Sequence, residues 1–151
     1  MNEDAKKALI QYRMERAKES VDAAELMLEN DMLTSAMNRI YYAMFYAVQA
    51  LLITKDVSFS KHGQVKGYFN KEFINKGLFS VYFGKTYNKA FEYRQKFDYV
   101  DFEVPTLDMV KEFVKYAEDF IQEIHLYLRQ LSGHIPPNRT ETNNKQDLLS
   151  P

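Results

Sequence analysis

The chain has 151 residues, a formal net charge of −1, 46% hydrophobic and 27% charged residues, five glycines, four prolines and no cysteine. That size suits one domain burying roughly 68 to 70% of the surface its unfolded form exposes. The scarce glycine and proline argue against a turn-rich all-β protein, and the missing cysteine excludes disulfides and thiolate metal sites. The opening MNEDAKKALI has no apolar secretory core, and the longest apolar run, Ile40 to Ile53, spans 14 residues against the roughly 20 that cross a bilayer. A cytoplasmic protein without a membrane span is therefore expected.

In chain order, the periodicity predicts a first helix over about Asp4 to Glu29, with Ala8, Leu9, Tyr12, Ala17, Val21, Ala24 and Leu28 near one face. The turn END at 29–31 closes it. A second helix starts near Thr34 or Ser35, either hydroxyl serving as its cap, and runs to about Thr54; it is apolar nearly all round and hence central. After KDVSFS, a third helix from about Ser60 to Asn75 carries Val65, Tyr68, Phe69 and Phe73. Its Gly63 and Gly67 point to close packing or a kink near His62.

Residues 76–84, KGLFSVYFG, read as an aromatic loop between Gly77 and Gly84, followed by a fourth helix over about Lys85 to Phe97. Pro105 then disfavours helical geometry at Val104 and leaves Thr106 to cap the last helix. There Val110, Phe113, Val114, Ala117, Ile121, Ile124, Leu128 and Leu131 recur at helical steps. The expected fold is all-α: an up-and-down antiparallel bundle of about five helices over residues 1–132, followed by a disordered tail over 133–151.

Charge is uneven. Residues 55–96 hold nine basic and three acidic side chains, whereas the segments on either side are net acidic. Aromatic residues interleave that basic block, the composition of a surface for phosphates and bases. Equally, the basic helices could simply lie against the acidic last helix.

Two constellations carry chemistry. On the second helix Arg39, Tyr42, Tyr46 and Gln49 follow one another at steps of three, four and three, one polar-tipped stripe on an apolar cylinder. On the fourth, Arg94 and Asp98 are four apart, with Tyr99 next. If the two helices are neighbours, Arg39 and Arg94 reach one acidic partner or one phosphate, or Asp98 neutralises Arg39. Lys61 and His62 stand at the start of the third helix, His125 on the last and His134 beyond it. No HExxH, paired metal-ligand spacing, P-loop, GxGxxG or nucleophile triad occurs, so neither a metal nor a cofactor is expected.

Taken together, the segments NRIYYAMFYAVQALL from Asn38, KHGQV from Lys61, AFEYRQKFDY from Ala90 and the long last helix resemble the HEPN domain (higher eukaryotes and prokaryotes nucleotide-binding). The chain is similar in particular to the small stand-alone prokaryotic proteins of the UPF0332 type, over about Ala5 to Leu131. The resemblance implies a helical bundle that is commonly homodimeric and paired with a minimal nucleotidyltransferase in a two-component toxin and antitoxin system. It also implies binding of nucleotide or RNA. Many members are metal-independent endoribonucleases built on Arg-x(4 to 6)-His, the arginine holding the scissile phosphate and the histidine moving a proton.

Here Tyr46 stands seven residues after Arg39 and Tyr99 five after Arg94. Neither arginine has its histidine, and a tyrosine with an ordinary pKa of about 10 is a poor base at neutral pH. By resemblance the catalytic set is Arg94, Tyr99 and Arg39. The binding set is Arg39, Tyr42, Tyr46, Lys61, His62, Arg94 and Asp98, with His62 able to supply the missing imidazole if it approaches in space. Tyr99 is the tyrosine that a partner transferase would modify. The alternative function is a non-catalytic module whose tyrosine stripe is a dimerisation or interaction surface.

Overall fold

A computed structural model describes residues 2–133 of the chain, and the expected tail with His134 lies outside the described residues. Five α-helices follow one another: α1 (Glu3–Glu29), α2 (Leu33–Thr54), α3 (His62–Phe69), α4 (Val81–Tyr99) and α5 (Leu107–Leu131). The expected all-α antiparallel bundle is what the structure shows. α1 begins where the Asn2 side chain accepts from the amide of Ala5, with Glu3 and Asp4 in its first turn, where the helix dipole favours negative charge. Asp31 adopts φ +57° in the tight reversal to α2.

α2 is the axis of the fold, packed on α1, α3, α4 and α5. Ile40, Tyr41, Ala43, Met44, Ala47, Val48, Ala50 and Leu51 are all fully buried, as its all-round apolar character requires. Its start differs from expectation. Neither Thr34 nor Ser35 caps it; the cap position is Met32, with no side-chain hydrogen bond. The three-residue link from α1, Asn30 to Met32, brings the chain into helical geometry before either hydroxyl is reached, and packing of the apolar cylinder holds the end instead.

The third predicted helix divides. After Phe69 the chain widens into a π-helical turn over Asn70–Ile74, with the amide of Asn75 bonded to the carbonyl of Asn70 at 2.8 Å. The extra residue in that turn lets Phe69, Phe73 and Ile74 all face the core. Gly63 and Gly67 are not packing sites, since a Cβ on either meets nothing within 4 Å. The close approach is at Gly84, where a Cβ would lie 3.0 Å from Asn70 Oδ1 and 3.1 Å from Ile74 Cγ1. Gly84 therefore sits inside α4, not at a loop end. α4 starts four residues earlier than predicted because Ser80 caps it, accepting from the Tyr82 amide. Thr106 caps α5 as expected, accepting from Met109.

α4 meets α5 through rings: Tyr82 on Tyr116, Phe83 and Tyr87 on Phe120, Tyr93 on Phe113. Among the described residues no ion pair joins the basic block to α5; its pairs are Lys76–Glu72, Lys89–Glu92, Arg94–Asp98, Lys96–Glu103 and, toward α1, Lys6–Asp56. The basic segment is thus not paired through contact ion pairs with the acidic last helix. Two members of the α1 and α5 stripes are not covered. Tyr12, well inside α1, is 48% exposed, and Leu131, the last residue of α5, is 54% exposed.

Candidate functional site

The helical step brings Asn38, Arg39, Tyr41 and Tyr42 to the first turns of α2, and α4 runs beside them so that Arg94 lies across both tyrosines. Its guanidinium carbon is 5.5 Å from the Tyr41 ring centre and 5.5 Å from that of Tyr42, and its Nη2 donates to the Tyr42 hydroxyl at 3.1 Å. Nε stands 3.7 Å from Asp98 Oδ2, a charge contact too long to be a hydrogen bond. Nε is buried and has no hydrogen-bond partner in the protein. The two side chains are 16% and 23% exposed, so this i,i+4 pair is stronger than its surface counterpart.

Asn38 bridges the remaining charge. Its Nδ2 donates to Asp98 Oδ2 at 2.9 Å, and its Oδ1 accepts from Arg39 Nη2 at 3.0 Å. Asp98 therefore pairs with Arg94 and does not neutralise Arg39 directly. Arg39 lies 4.9 Å over the Tyr42 ring and makes no ion pair among the described residues.

His62, at the start of α3, enters the same cluster. Its Nδ1 and the Tyr41 hydroxyl are 2.7 Å apart, sharing a hydrogen bond whose direction depends on the imidazole tautomer. The ring stacks on Phe45 at 4.2 Å and stands edge-on to Tyr42 at 5.7 Å. Burial, and secondarily the nearby Arg94 charge, lowers the His62 pKa, so the imidazole is neutral at pH 7. Burial pushes the hydroxyls of both Tyr41 and Tyr87 up from their ordinary range. Tyr41 thus stays protonated and available as a donor.

Of the residues picked from the sequence, the structure brings together Arg39, Tyr42, His62, Arg94 and Asp98. Tyr99 stands at the rim, 71% exposed, with Arg94 5.9 Å from its ring. Lys61 is exposed just before α3 and takes no part in the ion pairs above. Tyr46 is drawn the other way, toward α1: Arg16 Nη2 donates to its hydroxyl at 3.1 Å, Arg16 Nη1 donates to Tyr12 at 3.1 Å, and the guanidinium lies 4.9 Å over the Tyr46 ring. Gln49, the last of the stripe, lines a small pocket instead.

Sequence reasoning missed Asn38, Tyr41 and Arg16. Arg16 had one available signal, its i,i+4 spacing from Tyr12; Tyr41 had none, because a buried tyrosine in an apolar helix is ordinarily core. Among the described residues, no group of three His, Asp or Glu side chains could hold a metal ion, and no helix is long and apolar enough to cross a membrane.

A model of the HEPN domain matches residues 10–127, which take in all of this cluster. A UPF0332 protein of Thermotoga maritima is 45% identical over 134 residues, covering 87% of this chain and 98% of the relative. Two proteins of Methanocaldococcus jannaschii, each bearing the name putative toxin, are 32% and 34% identical; the matches cover 87% and 81% of this chain and 96% and 78% of the relatives. With a domain match of that extent and relatives similar along most of their length, the chain belongs to the HEPN domain family.

Proposed function

We propose that the chain is the HEPN component of a toxin and antitoxin type module, paired with a minimal nucleotidyltransferase and binding RNA phosphate or nucleotide at the Arg94 cluster. Two relatives carry toxin names, which supports the module reading. The observation that carries the ligand reading is the Arg94 guanidinium, which lies beside a neutral histidine with its buried Nε lacking a hydrogen-bond partner in the protein. With Nε turned inward toward Asp98, the partly exposed remainder of that guanidinium can hold a phosphate oxygen with charge assistance, which a neutral ligand does not give.

The same geometry supports metal-independent cleavage of RNA. Arg94 would stabilise the charge that develops on the phosphorus oxygens when a 2′-hydroxyl attacks. With Nδ1–H donated to the Tyr41 hydroxyl, the His62 Nε2 lone pair is free to take the proton of the attacking 2′-hydroxyl, and the imidazolium so formed can return that proton to the leaving 5′-oxygen. His62 then supplies, from α3, the imidazole that neither Tyr46 nor Tyr99 provides. Tyr99, exposed at the rim, is the hydroxyl a partner transferase would reach. A homodimer is part of this proposal.

The expected outcome is RNA binding that is tightest at low salt and weakens steeply as salt rises. Cleavage of single-stranded RNA should persist in EDTA and disappear in Arg94→Ala. A wild-type protein that binds neither RNA nor nucleotide at low salt overturns the reading. A second reading, a non-catalytic interaction module, draws on the exposed run Tyr99, Val100, Phe102 and Val104 between α4 and α5. It requires mutations in that run to change assembly while Arg94→Ala leaves RNA metabolism untouched.

A further inference from the structure

At the end of α2 remote from the Arg94 cluster the bundle is not closed. Between the first turns of α1 and the last turns of α5, beside Thr54 at the end of α2, lies a cleft of about 630 Å³. Thr54 stands roughly 18 Å along the helix from Tyr42, so the cleft is separate from the Arg94 cluster. Its volume falls among those of small-molecule pockets, about 300–1,000 Å³. Ile10 and Met14 from α1 face Leu128 and Leu131 from α5 across it. The first three are half-buried and Leu131 is 54% exposed, so the bundle leaves apolar surface uncovered here.

The charges of the lining do not cancel. Glu3 is its one carboxylate and stands 3.8 Å from Lys6, whose ammonium is also held by Asp56 at 3.2 Å. Lys7 and Arg129 line the same cleft, and among the described residues neither makes an ion pair. Arg129 Nε is enclosed, so the rest of the guanidinium is the part that a ligand meets. His125, pushed below its ordinary pKa by burial and then by the Arg129 charge, is neutral at pH 7 and cancels nothing. Two uncompensated cations beside uncovered apolar surface are complementary to an anion that carries an apolar body. Its charge offsets theirs, and each methylene taken out of water tightens binding by up to roughly fourfold.

We infer that this cleft is a binding site for a free amphipathic anion, a medium-chain carboxylate, with Lys7 and Arg129 holding the head group and Ile10, Met14, Leu128 and Leu131 enclosing the chain. Lys7 and Met14 are separated by roughly 10 Å of α1, a length that an extended medium chain spans. The recess is walled by α1, α2 and α5, which suits a single chain better than the flat surface of a bilayer. An occupant ties the start of α1 to the end of α5, and by mass action it stabilises the folded bundle.

The test is isothermal titration calorimetry of the full chain with octanoate, decanoate and dodecanoate below their micelle concentrations, and with octanol as the uncharged control. Affinity should rise by at least about threefold from each carboxylate to the next, and octanoate should bind tighter than octanol. Lys7→Gln and Arg129→Gln should each remove most of that preference while octanol affinity stays within about twofold. Met14→Trp, which fills the cleft, should abolish binding of both. Circular dichroism checks that each variant is folded. Leu131→Glu, at an exposed position, sets a carboxylate against the head group and should weaken octanoate more than octanol, which gives the same reading if the tryptophan variant unfolds. No heat from any carboxylate up to about millimolar concentration overturns the site. Octanol binding as tightly as octanoate, or binding unchanged in both Met14→Trp and Leu131→Glu, overturns it as well. Pelleting with phosphatidylglycerol vesicles in the absence of carboxylate binding assigns the face to a membrane. A dimer that Leu131→Glu dissociates, again without carboxylate binding, assigns it to a second copy; either result rejects the proposal.

Discussion

The two ends of the α2 stripe use one hydrogen bond in two environments. At each, an arginine from a neighbouring helix donates to a tyrosine hydroxyl at 3.1 Å and lies over a tyrosine ring. At the α4 end the arginine is 16% exposed and its carboxylate 23%; at the α1 end the values are 39% and 78%. The bond lengths agree, so the difference in consequence comes from water. A buried guanidinium whose partner is removed stays desolvated, whereas an exposed one rehydrates. The lesson is that identical geometry marks a rigid, prepaid site at one end and an adaptable surface at the other.

The largest effect that sharpens this contrast is Arg94→Ala, which strands Asp98 and the Tyr42 hydroxyl and should cost roughly 1–3 kcal/mol in urea denaturation. Arg16→Ala should leave the urea midpoint almost unmoved, because its exposed partners rehydrate; equal losses would break the comparison. Next, Tyr42→Phe should destabilise by about 1–2 kcal/mol and Tyr46→Phe by less than ~0.5 kcal/mol, read from the same titrations.

Acid provides a third probe. The folded His62 pKa lies below its ordinary 6.5, so the unfolded chain takes up the proton more readily and the folded state loses stability as pH falls through and below 6.5. His125, lowered mainly by burial, acts in the same sense. Glu118 acts oppositely: burial and the neighbouring Glu25 raise it to about 7, and the stability of that protonated form is lost as pH rises toward 7. His62→Gln should therefore flatten the acid side of the stability profile, while Arg16→Ala leaves its shape unchanged. The smallest expected effect is Arg39→Met, within about 0.5 kcal/mol, since no buried carboxylate depends on Arg39 for its charge.

How much of this was legible in the sequence follows from range. The last helix, its Thr106 cap and the apolar cylinder of α2 are dictated by neighbours three or four residues away, and all three appear where periodicity puts them. The Arg94–Asp98 pair has the same local origin. What escaped is set by contacts across the fold. Arg16 meets Tyr46 over thirty residues of chain, Asn38 meets Asp98 over sixty, and Tyr41 acquires meaning only when His62 arrives from another helix. The start of α4 was misjudged because Gly84 looks like a helix breaker, although its missing Cβ is what admits Ile74.

The π-helical turn over Asn70–Ile74 bears on how the lineage can vary in length. Such a turn is an α-helical turn with one residue added, the extra member being absorbed where the carbonyl of Asn70 reaches five residues ahead. Elsewhere in the bundle a one-residue deletion rotates everything downstream off its face by about 100°. Here it restores an ordinary helix, and the six residues from Asn75 to Ser80 that lead into α4 can take up the slack. Insertions and deletions among homologues should therefore gather at this turn, leaving the arginine and tyrosine helices in fixed register on either side of it.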